Sequence, residues 1–125
     1  MILDTNALSA LAAKDPELIG KIRHAPRLSV TLISLGEFYY GVTASRKKGE
    51  IMGWLNLFLE RVQVLSPSLD TLPIYAEIRN ELKRAGTPIP ANDCWIAALV
   101  RQYNMQLVSR DRHFDWVKGV KRLDW

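Results

Sequence analysis

Four acidic residues stand where the chain pattern can bring them to one edge of a fold. Asp4 and Asp111 follow apolar, strand-like runs, whereas Asp93 and Glu37 lie near the starts of two helical patterns. Neighbouring carboxylates oppose one another's ionisation, and a divalent cation removes that conflict. Oxygen ligands of this kind favour Mg²⁺ or Mn²⁺. The four acids therefore predict a metal site if they converge.

Each acid also has a structural interpretation that the sequence leaves open. Asp4 is a good cap for the helix that follows it. Glu37 stands three residues after Ser34, which is the spacing of a capping box. Asp93 can stabilise the start of a helix through the helix dipole, and Asp111 suits a turn. In these structural roles the four acids need not lie close to one another.

Other catalytic chemistries lack their characteristic residues. No cluster of cysteine and histidine offers a zinc site, and His24 and His113 are isolated in the sequence, so we expect neither to bind a metal. The chain has no glycine-rich phosphate loop and no nucleophile elbow of a Ser-His-Asp hydrolase. Cys94, next to Asp93, is expected to be a small buried apolar residue.

Length and composition indicate one folded domain. The 125 residues are 48 % apolar and include four tryptophans, which excludes disorder and is enough for a sizeable core. The single cysteine cannot form an internal disulfide, and the sequence has neither a secretion leader nor a long apolar run. We therefore expect no membrane association and a reducing, cytoplasmic location.

The charge pattern favours a nucleic-acid partner. Lysine and arginine number 17 against 13 acidic residues, and setting the four candidate acids aside raises the formal charge of the remainder to +8. Such a surface suits RNA, whose phosphates attract cations. The candidate RNA contacts are Arg46, Lys47, Lys48, Arg110 and Arg112, and Lys118, Lys121 and Arg122 follow in the same basic region. For the first three, a merely solvated basic face is an equally good interpretation.

Alternating strands and helices predict the element order. The predicted strands are Met1–Leu3, Arg27–Thr31, Val62–Leu65, Met105–Ser109 and Val120–Leu123. The predicted helices are Ala7–Ala13, Pro16–His24, Leu32–Val42, Glu50–Arg61, Ser68–Arg84, Asp93–Tyr103 and a short one at His113–Lys118. The pattern predicts an α/β fold with a parallel sheet, helices on both faces and a helical hairpin after the second strand. Side chains at the carboxyl ends of its strands share one edge.

Three residues are expected to cap helices. Asp15 precedes a first-turn proline, Thr31 closes the second strand, and Asn92 precedes the helix that carries Asp93. The last of these follows a stiff segment with two prolines, Thr87–Ala91, which aims the helix. We therefore expect the direction of that helix to be well defined.

The helix at Gly49–Arg61 has more apolar surface than one packing face needs. Its polar or small positions form one narrow stripe, at Gly49, Gly53, Asn56 and Glu60. Apolar residues cover most of the remaining circumference, namely Ile51, Met52, Trp54, Leu55, Leu57, Phe58 and Leu59. The surplus predicts a surface for a partner. Alternatively, the hairpin folds back so that both faces join the core.

Four short motifs occur in a fixed order along the chain. They are Asp4-Thr5-Asn6, Glu37–Gly41, Asn92–Ala98 and Leu107–Phe114. With the closing residues Lys118–Val120 and Leu123–Trp125, this pattern resembles a PIN domain of the VapC toxin family over essentially residues 1–125. The resemblance implies a three-layer fold with strand order 3-2-1-4-5 and an Mg²⁺ or Mn²⁺-dependent endoribonuclease.

The resemblance also implies roles for individual residues. The catalytic acids and metal ligands would be Asp4, Glu37, Asp93 and Asp111. Supporting groups would be Thr5, Asn6 and Ser109, where the family usually has threonine, and Asp115 is a possible substitute for the fourth acid.

The partners implied by the resemblance are RNA, a second copy of the chain and a cognate antitoxin of the VapB type. The antitoxin would lie in a groove along the hairpin helices and place an arginine among the acids. Two alternatives remain: an RNA-processing PIN nuclease without an antitoxin, and a non-catalytic α/β module that binds a cation or a basic peptide.

Overall fold

A five-stranded parallel sheet forms the centre of the molecule. The computed structural model describes all 125 residues. The strands are β1 (Ile2–Leu3), β2 (Ser29–Thr31), β3 (Gln63–Leu65), β4 (Leu107–Val108) and β5 (Arg122–Leu123). Their order is β3-β2-β1-β4-β5, and every neighbouring pair is parallel. The predicted order is confirmed, and it places the strand before Asp4 at the centre of the sheet.

Six α-helices surround the sheet. They are α1 (Thr5–Ala12), α2 (Pro16–Ile22), α3 (Leu32–Thr43), α4 (Lys48–Leu59), α5 (Thr71–Ala85) and α6 (Ala91–Tyr103), and a 3₁₀ helix spans Arg112–Trp116. The predicted hairpin after the second strand is confirmed as α3 and α4. None of these helices has the length and apolar character needed to cross a membrane.

The two faces of the sheet support two separate cores. Ile2 and Leu107 point into one core with residues of α5 and α6, whereas Leu3, Val30 and Val108 point into the other with α1 to α4. Successive strand residues face opposite sides, so two consecutive apolar residues anchor a strand in both cores. This arrangement gives a three-layer α/β domain in which Asp4 follows directly after a fully buried strand.

All five strands are shorter than the sequence predicted. β1 pairs only through Ile2 and Leu3, because α1 begins at Thr5. Its two neighbours can pair with it only over that length, so Met105 and Ser109 lie outside β4. The predicted strand boundaries are therefore too wide, while the number and type of strands are correct.

The predicted caps are confirmed at two helices and wrong at a third. Asp15 accepts hydrogen bonds from two backbone N–H groups at the start of α2, and Thr31 accepts one from Ser34 at the start of α3. Asn92 is not the cap of α6, because extended Pro90 occupies that position and the helix begins at Ala91. The stiff segment therefore ends at Pro90, earlier than expected, and Asp93 lies within the first turn.

The hairpin folds back far enough to bury Leu55 of α4 and to cover most of its other apolar side chains in part. Leu55 is fully buried, and Trp54 stacks on Phe58 with ring centroids 5.0 Å apart. Phe38 of α3 is tilted against Trp54 at 6.1 Å. Leu57 is the one apolar residue of α4 that is mostly exposed, at 66 %. The apolar surplus predicted for this helix is therefore smaller than expected and centres on Leu57.

Candidate active site

The ends of β1 and β4 create the base of the site. These neighbouring parallel strands end at the same edge, so Asp4 and Ser109 lie side by side. Ser109 Oγ donates a hydrogen bond of 2.8 Å to Asp4 Oδ2, and the Asp4 backbone N–H donates to the Val108 carbonyl. Asp4 is only 4 % exposed. A buried carboxylate is thus fixed in one orientation.

Asn6 ties the two strand ends together. Its Nδ2 donates to Ser109 Oγ at 3.3 Å and to Asp4 Oδ2 at 3.4 Å. Its Oδ1 accepts a hydrogen bond from the Arg110 backbone N–H at 3.1 Å. Both ends of the amide are therefore engaged, which holds the loop after β4 against the first turn of α1.

Glu37 reaches the site from α3. Thr5 Oγ1 donates to Glu37 Oε1 over 2.8 Å, which joins two residues 32 positions apart. The capping-box interpretation of Glu37 is not supported, because Thr31 is the N-cap and its hydroxyl serves the Ser34 backbone. Glu37 is therefore oriented by a residue next to Asp4.

Asp93 and Asp111 complete the group of acids. Burial raises the pKa of Asp93 to about 6, with further contributions from the charges of Asp111, Asp4 and Glu37. The pKa of Asp4 is also raised, first by burial and then by Glu37 and Asp111, against the hydrogen bond from Ser109. The four carboxylates are thus close enough to oppose one another's ionisation. The convergence expected from the strand order is present.

Three of the converging acids also occupy the helix-start or turn positions that their structural interpretations predicted. Asp4 holds the N-cap position of α1 but makes no side-chain cap bond. Asp93 is indeed a first-turn acid of α6. Asp111 Oδ1 accepts from the His113 backbone N–H at 3.0 Å, and the Asp111 N–H donates to Ser109 Oγ at 3.0 Å. A turn therefore positions the fourth acid.

His113 lies beside two of the acids, so the interpretation of this histidine as isolated is wrong. Its Nδ1 is 3.2 Å from Asp111 Oδ1 and 3.6 Å from Asp93 Oδ2. The side-chain nitrogen and the two oxygens all lie within 4.8 Å of one another. The signal in the sequence was its position two residues after Asp111, which a tight turn brings back to the carboxylate.

Asp115 lies outside the group of acids. Its two carboxylate oxygens accept from Arg122 at 2.8 and 3.0 Å, and this partner lowers the pKa of Asp115. Arg122 also donates to the Ser109 carbonyl at 2.9 Å and lies 3.2 Å from Asp124. Its side chain is only 11 % exposed. The structure thus gives Asp115 and Arg122 a structural role, contrary to their expected places as substitute acid and surface cation.

The candidate RNA contacts differ in whether other residues of the protein already bind their side chains. Arg46, Lys47 and Lys48 are exposed at the tip of the hairpin, and Arg112 is exposed beside the site. Arg110 is instead held by the chain end: its guanidinium lies 4.5 Å from the Trp125 ring and donates to the Trp125 carbonyl at 3.3 and 3.2 Å.

A groove of about 770 Å³ leads away from the acids between α1, α3 and α4. Thr5 and Glu37 lie in its wall, and Lys47 connects it to the hairpin tip. Phe38, Trp54 and Leu57 supply its apolar surface. The groove is therefore a concave apolar surface with a carboxylate, Glu37, in its wall.

The donor set suits a divalent cation. Four carboxylates and the His113 imidazole nitrogen face one region, and the pKa of Asp93 is raised first by burial and then by the neighbouring negative charges, whose repulsion a cation would relieve. A thiol nucleophile is not available, because Cys94 is buried as predicted. The site is therefore equipped for metal-assisted chemistry.

Comparison with known proteins agrees with this geometry. The PIN domain family model matches residues 1–120. The chain is 31 % identical to the ribonuclease VapC2 of Rickettsia felis, over 98 % of this chain and 90 % of that protein. It is 29 % identical to the ribonuclease VapC1 of Haemophilus influenzae, over 99 % and 96 % of the two chains.

A solved structure with the same fold is VapBC2 from Rickettsia felis bound to a promoter DNA fragment. The TM-score is 0.86 with 27 % identity, over 99 % of this chain and 97 % of the other. The sheet order, the four converging acids and these similarities together lead to one conclusion: the chain belongs to the PIN-domain family, and within it to the VapC ribonucleases.

Proposed function

We propose that this protein is a metal-dependent endoribonuclease that hydrolyses RNA phosphodiester bonds and acts as the toxin of a VapBC-type toxin-antitoxin pair. The observation that carries the proposal is the convergence of four carboxylates at the carboxyl edge of the sheet, where burial first, and then the charges of Asp111, Asp4 and Glu37, raise the pKa of Asp93 to about 6. Membership of the VapC ribonucleases supports the choice of RNA as substrate.

In this proposal Asp4, Glu37, Asp93 and Asp111 hold Mg²⁺ or Mn²⁺. A bound divalent ion would activate water and neutralise charge on the scissile phosphate. Ser109 and Asn6 orient Asp4, and Thr5 orients Glu37, through the hydrogen bonds described above. Burial of Asp4 excludes water from the base of the site and strengthens these interactions.

The hairpin tip offers a second place for RNA to bind. Arg46, Lys47 and Lys48 are exposed there, and Lys47 also lines the groove that leads to Glu37. Arg112 is also exposed and follows Asp111 directly in the chain. We propose that RNA phosphates on either side of the cut contact these cations, whereas Arg110 serves the fold through Trp125.

The groove between α1, α3 and α4 is the proposed site for a VapB-like antitoxin. Its apolar residues suit an antitoxin segment, and the similar structure from Rickettsia felis is a VapBC complex. An antitoxin arginine at Glu37 would neutralise the acids and exclude the cation, which explains inhibition electrostatically. We further propose that the chain acts as a homodimer in the cytoplasm and that residues 1–125 form one PIN domain.

RNA cleavage tests the central proposal. Purified protein should cut single-stranded RNA with Mg²⁺ or Mn²⁺ and should lose that activity in EDTA. Asp93→Asn should abolish cleavage, whereas Asp70→Asn should not, because Asp70 is exposed and its side chain caps nothing. Cleavage that persists in EDTA would contradict the metal mechanism.

Three further observations, combined with the cleavage assay, separate the alternative functions. Metal binding without RNA cleavage would favour a non-catalytic cation-binding module. Cleavage by a chain whose neighbouring reading frame encodes no antitoxin would favour an RNA-processing nuclease. Co-purification with the product of that reading frame would support the toxin assignment.

A further inference from the structure

The Nδ1 atom of His113 lies beside two of the candidate metal-binding carboxylates. Nδ1 is buried, although the histidine side chain as a whole is 45 % exposed, and its polar neighbours are carboxylate oxygens. The buried nitrogen lies beside Asp111 Oδ1 and Asp93 Oδ2, at 3.2 and 3.6 Å. When Nδ1 carries no proton, its lone pair and the two carboxylate oxygens face one another, and a cation placed between them removes the resulting repulsion.

The spacing of these three atoms fits one metal ion. Adjacent ligands of an octahedral ion with bonds of about 2.1 Å lie roughly 3 Å apart. The separations from Nδ1 to the two carboxylate oxygens are close to that value. All three atoms lie within 4.8 Å of one another, so they can occupy one face of the coordination sphere.

The local fold fixes the imidazole in this position. The His113 backbone N–H donates to Asp111 Oδ1, which closes a tight turn, and the ring packs against Trp116 with centroids 5.5 Å apart. Asp111 is itself held by Ser109 through its backbone N–H. The ligand atoms therefore need little ordering when an ion binds.

We propose that His113 is a direct ligand of the catalytic ion through Nδ1, and that it makes the site selective for Mn²⁺ over Mg²⁺. The proposal deepens the nuclease assignment and rests on it for the identity of the ion as a catalytic one. Mg²⁺ prefers oxygen ligands and keeps much of its water, whereas an imidazole nitrogen suits transition metals such as Mn²⁺. An imidazole ligand added to the carboxylates thus favours Mn²⁺ over Mg²⁺.

The test uses the fact that the chain has only two histidines. Mn²⁺ bound to the full-length protein should show hyperfine coupling to an imidazole ¹⁴N in pulsed electron paramagnetic resonance. The coupling should disappear in His113→Phe, which keeps a ring against Trp116, and should remain in His24→Phe, an exposed histidine that serves as matched control. No RNA is needed for this measurement.

Calorimetric titration with each metal supplies the second arm. His113→Phe should weaken Mn²⁺ binding at least about tenfold and change Mg²⁺ binding much less. The Mg²⁺ titration also shows that the variant has a folded site, and His113→Ala repeats the comparison without a ring. Equal losses for both metals in both variants, or ¹⁴N coupling that persists without His113, would overturn the proposal.

The two proposals fail in different ways. Nitrogen coupling with no RNA cleavage would leave His113 a metal ligand and contradict the nuclease. Metal-dependent cleavage with no nitrogen coupling would leave the nuclease intact and remove His113 from the coordination sphere.

Discussion

Thr5 and Glu37 are joined by a hydrogen bond of 2.8 Å from the threonine hydroxyl to Oε1. Thr5 begins α1 immediately after Asp4, and Glu37 lies in α3. The bond therefore couples the position of one acid to the strand end that carries another. Without it, the long Glu37 side chain would have several rotamers to choose from, and binding a metal would cost more entropy.

The first prediction concerns this bond. Thr5→Val keeps the shape of the side chain and removes the donor, so metal affinity and cleavage should fall roughly 10- to 100-fold. Thr5→Ser restores a hydroxyl and should recover most of the loss. Metal titration and RNA cleavage measure the effect, and equal activity of the valine and serine variants would show that the bond does not position Glu37.

The second prediction concerns stability without metal. The pKa of Asp93 is raised from 3.8 to about 6 in the folded protein, so its contribution to stability is complete below about pH 4 and is lost as the pH rises through about 6. At neutral pH the ionised group costs up to roughly 3 kcal/mol. Asp93→Asn should therefore raise the Tm of the metal-free protein by several degrees at pH 7.

The pH dependence of this difference provides its control. Wild type and Asp93→Asn should unfold at similar temperatures near pH 4, and the gap should open between pH 4 and 7. Thermal unfolding in EDTA measures both. A variant less stable than wild type at pH 7 would show instead that the Asp93 carboxylate stabilises the helix more than burial and the neighbouring charges destabilise it.

The third prediction concerns metal binding and pH. A cation must displace the proton from Asp93, so the apparent metal affinity should weaken as the pH falls below about 6. Between pH 7 and 5 the dissociation constant should rise about tenfold, and the cleavage rate at subsaturating metal should follow it. An affinity that is constant over this range would exclude Asp93 as a ligand.

The part of the site that follows directly from the strand ends was the part that the sequence could predict. The polar triplet after β1, the strand order and the approach of four acids could all be predicted, because parallel strands share an edge. The place of Asp115 could not, since its bidentate pairing depends on Arg122, which returns to the site only through β5. The approach of His113 was not predicted because it depends on the turn at Asp111 and on packing of the imidazole against Trp116.

The fourth prediction separates Asp115 from Asp111. Asp111→Asn should abolish cleavage, because the carboxylate belongs to the acidic group. Asp115→Asn should lower stability by about 1 kcal/mol through loss of its bond to Arg122, while the folded enzyme continues to cut RNA. Cleavage assays below each variant's unfolding temperature measure this. Loss of activity in a folded Asp115→Asn protein would restore Asp115 as a catalytic acid.

The last prediction concerns the groove beside the hairpin and its partner. Leu57 is exposed in its wall, whereas Trp54 is partly built into the core through Phe58 and Phe38, so Leu57 is the better probe. Leu57→Glu puts a charge where an apolar antitoxin side chain would pack, and it should weaken antitoxin binding about 100-fold or more. Ile19→Glu, an exposed apolar position on α2, is the matched control and should bind normally.

Light scattering measures the effect of Leu57→Glu on the homodimer, and co-purification measures its effect on the antitoxin complex. We expect wild type to be a dimer when isolated and to gain the mass of the antitoxin when the two are expressed together. If α4 serves both partners, Leu57→Glu lowers both masses; if it serves the antitoxin alone, the dimer persists. Normal antitoxin binding by a folded Leu57→Glu protein would exclude the groove as the antitoxin site, because no apolar segment could tolerate that buried charge without a partner.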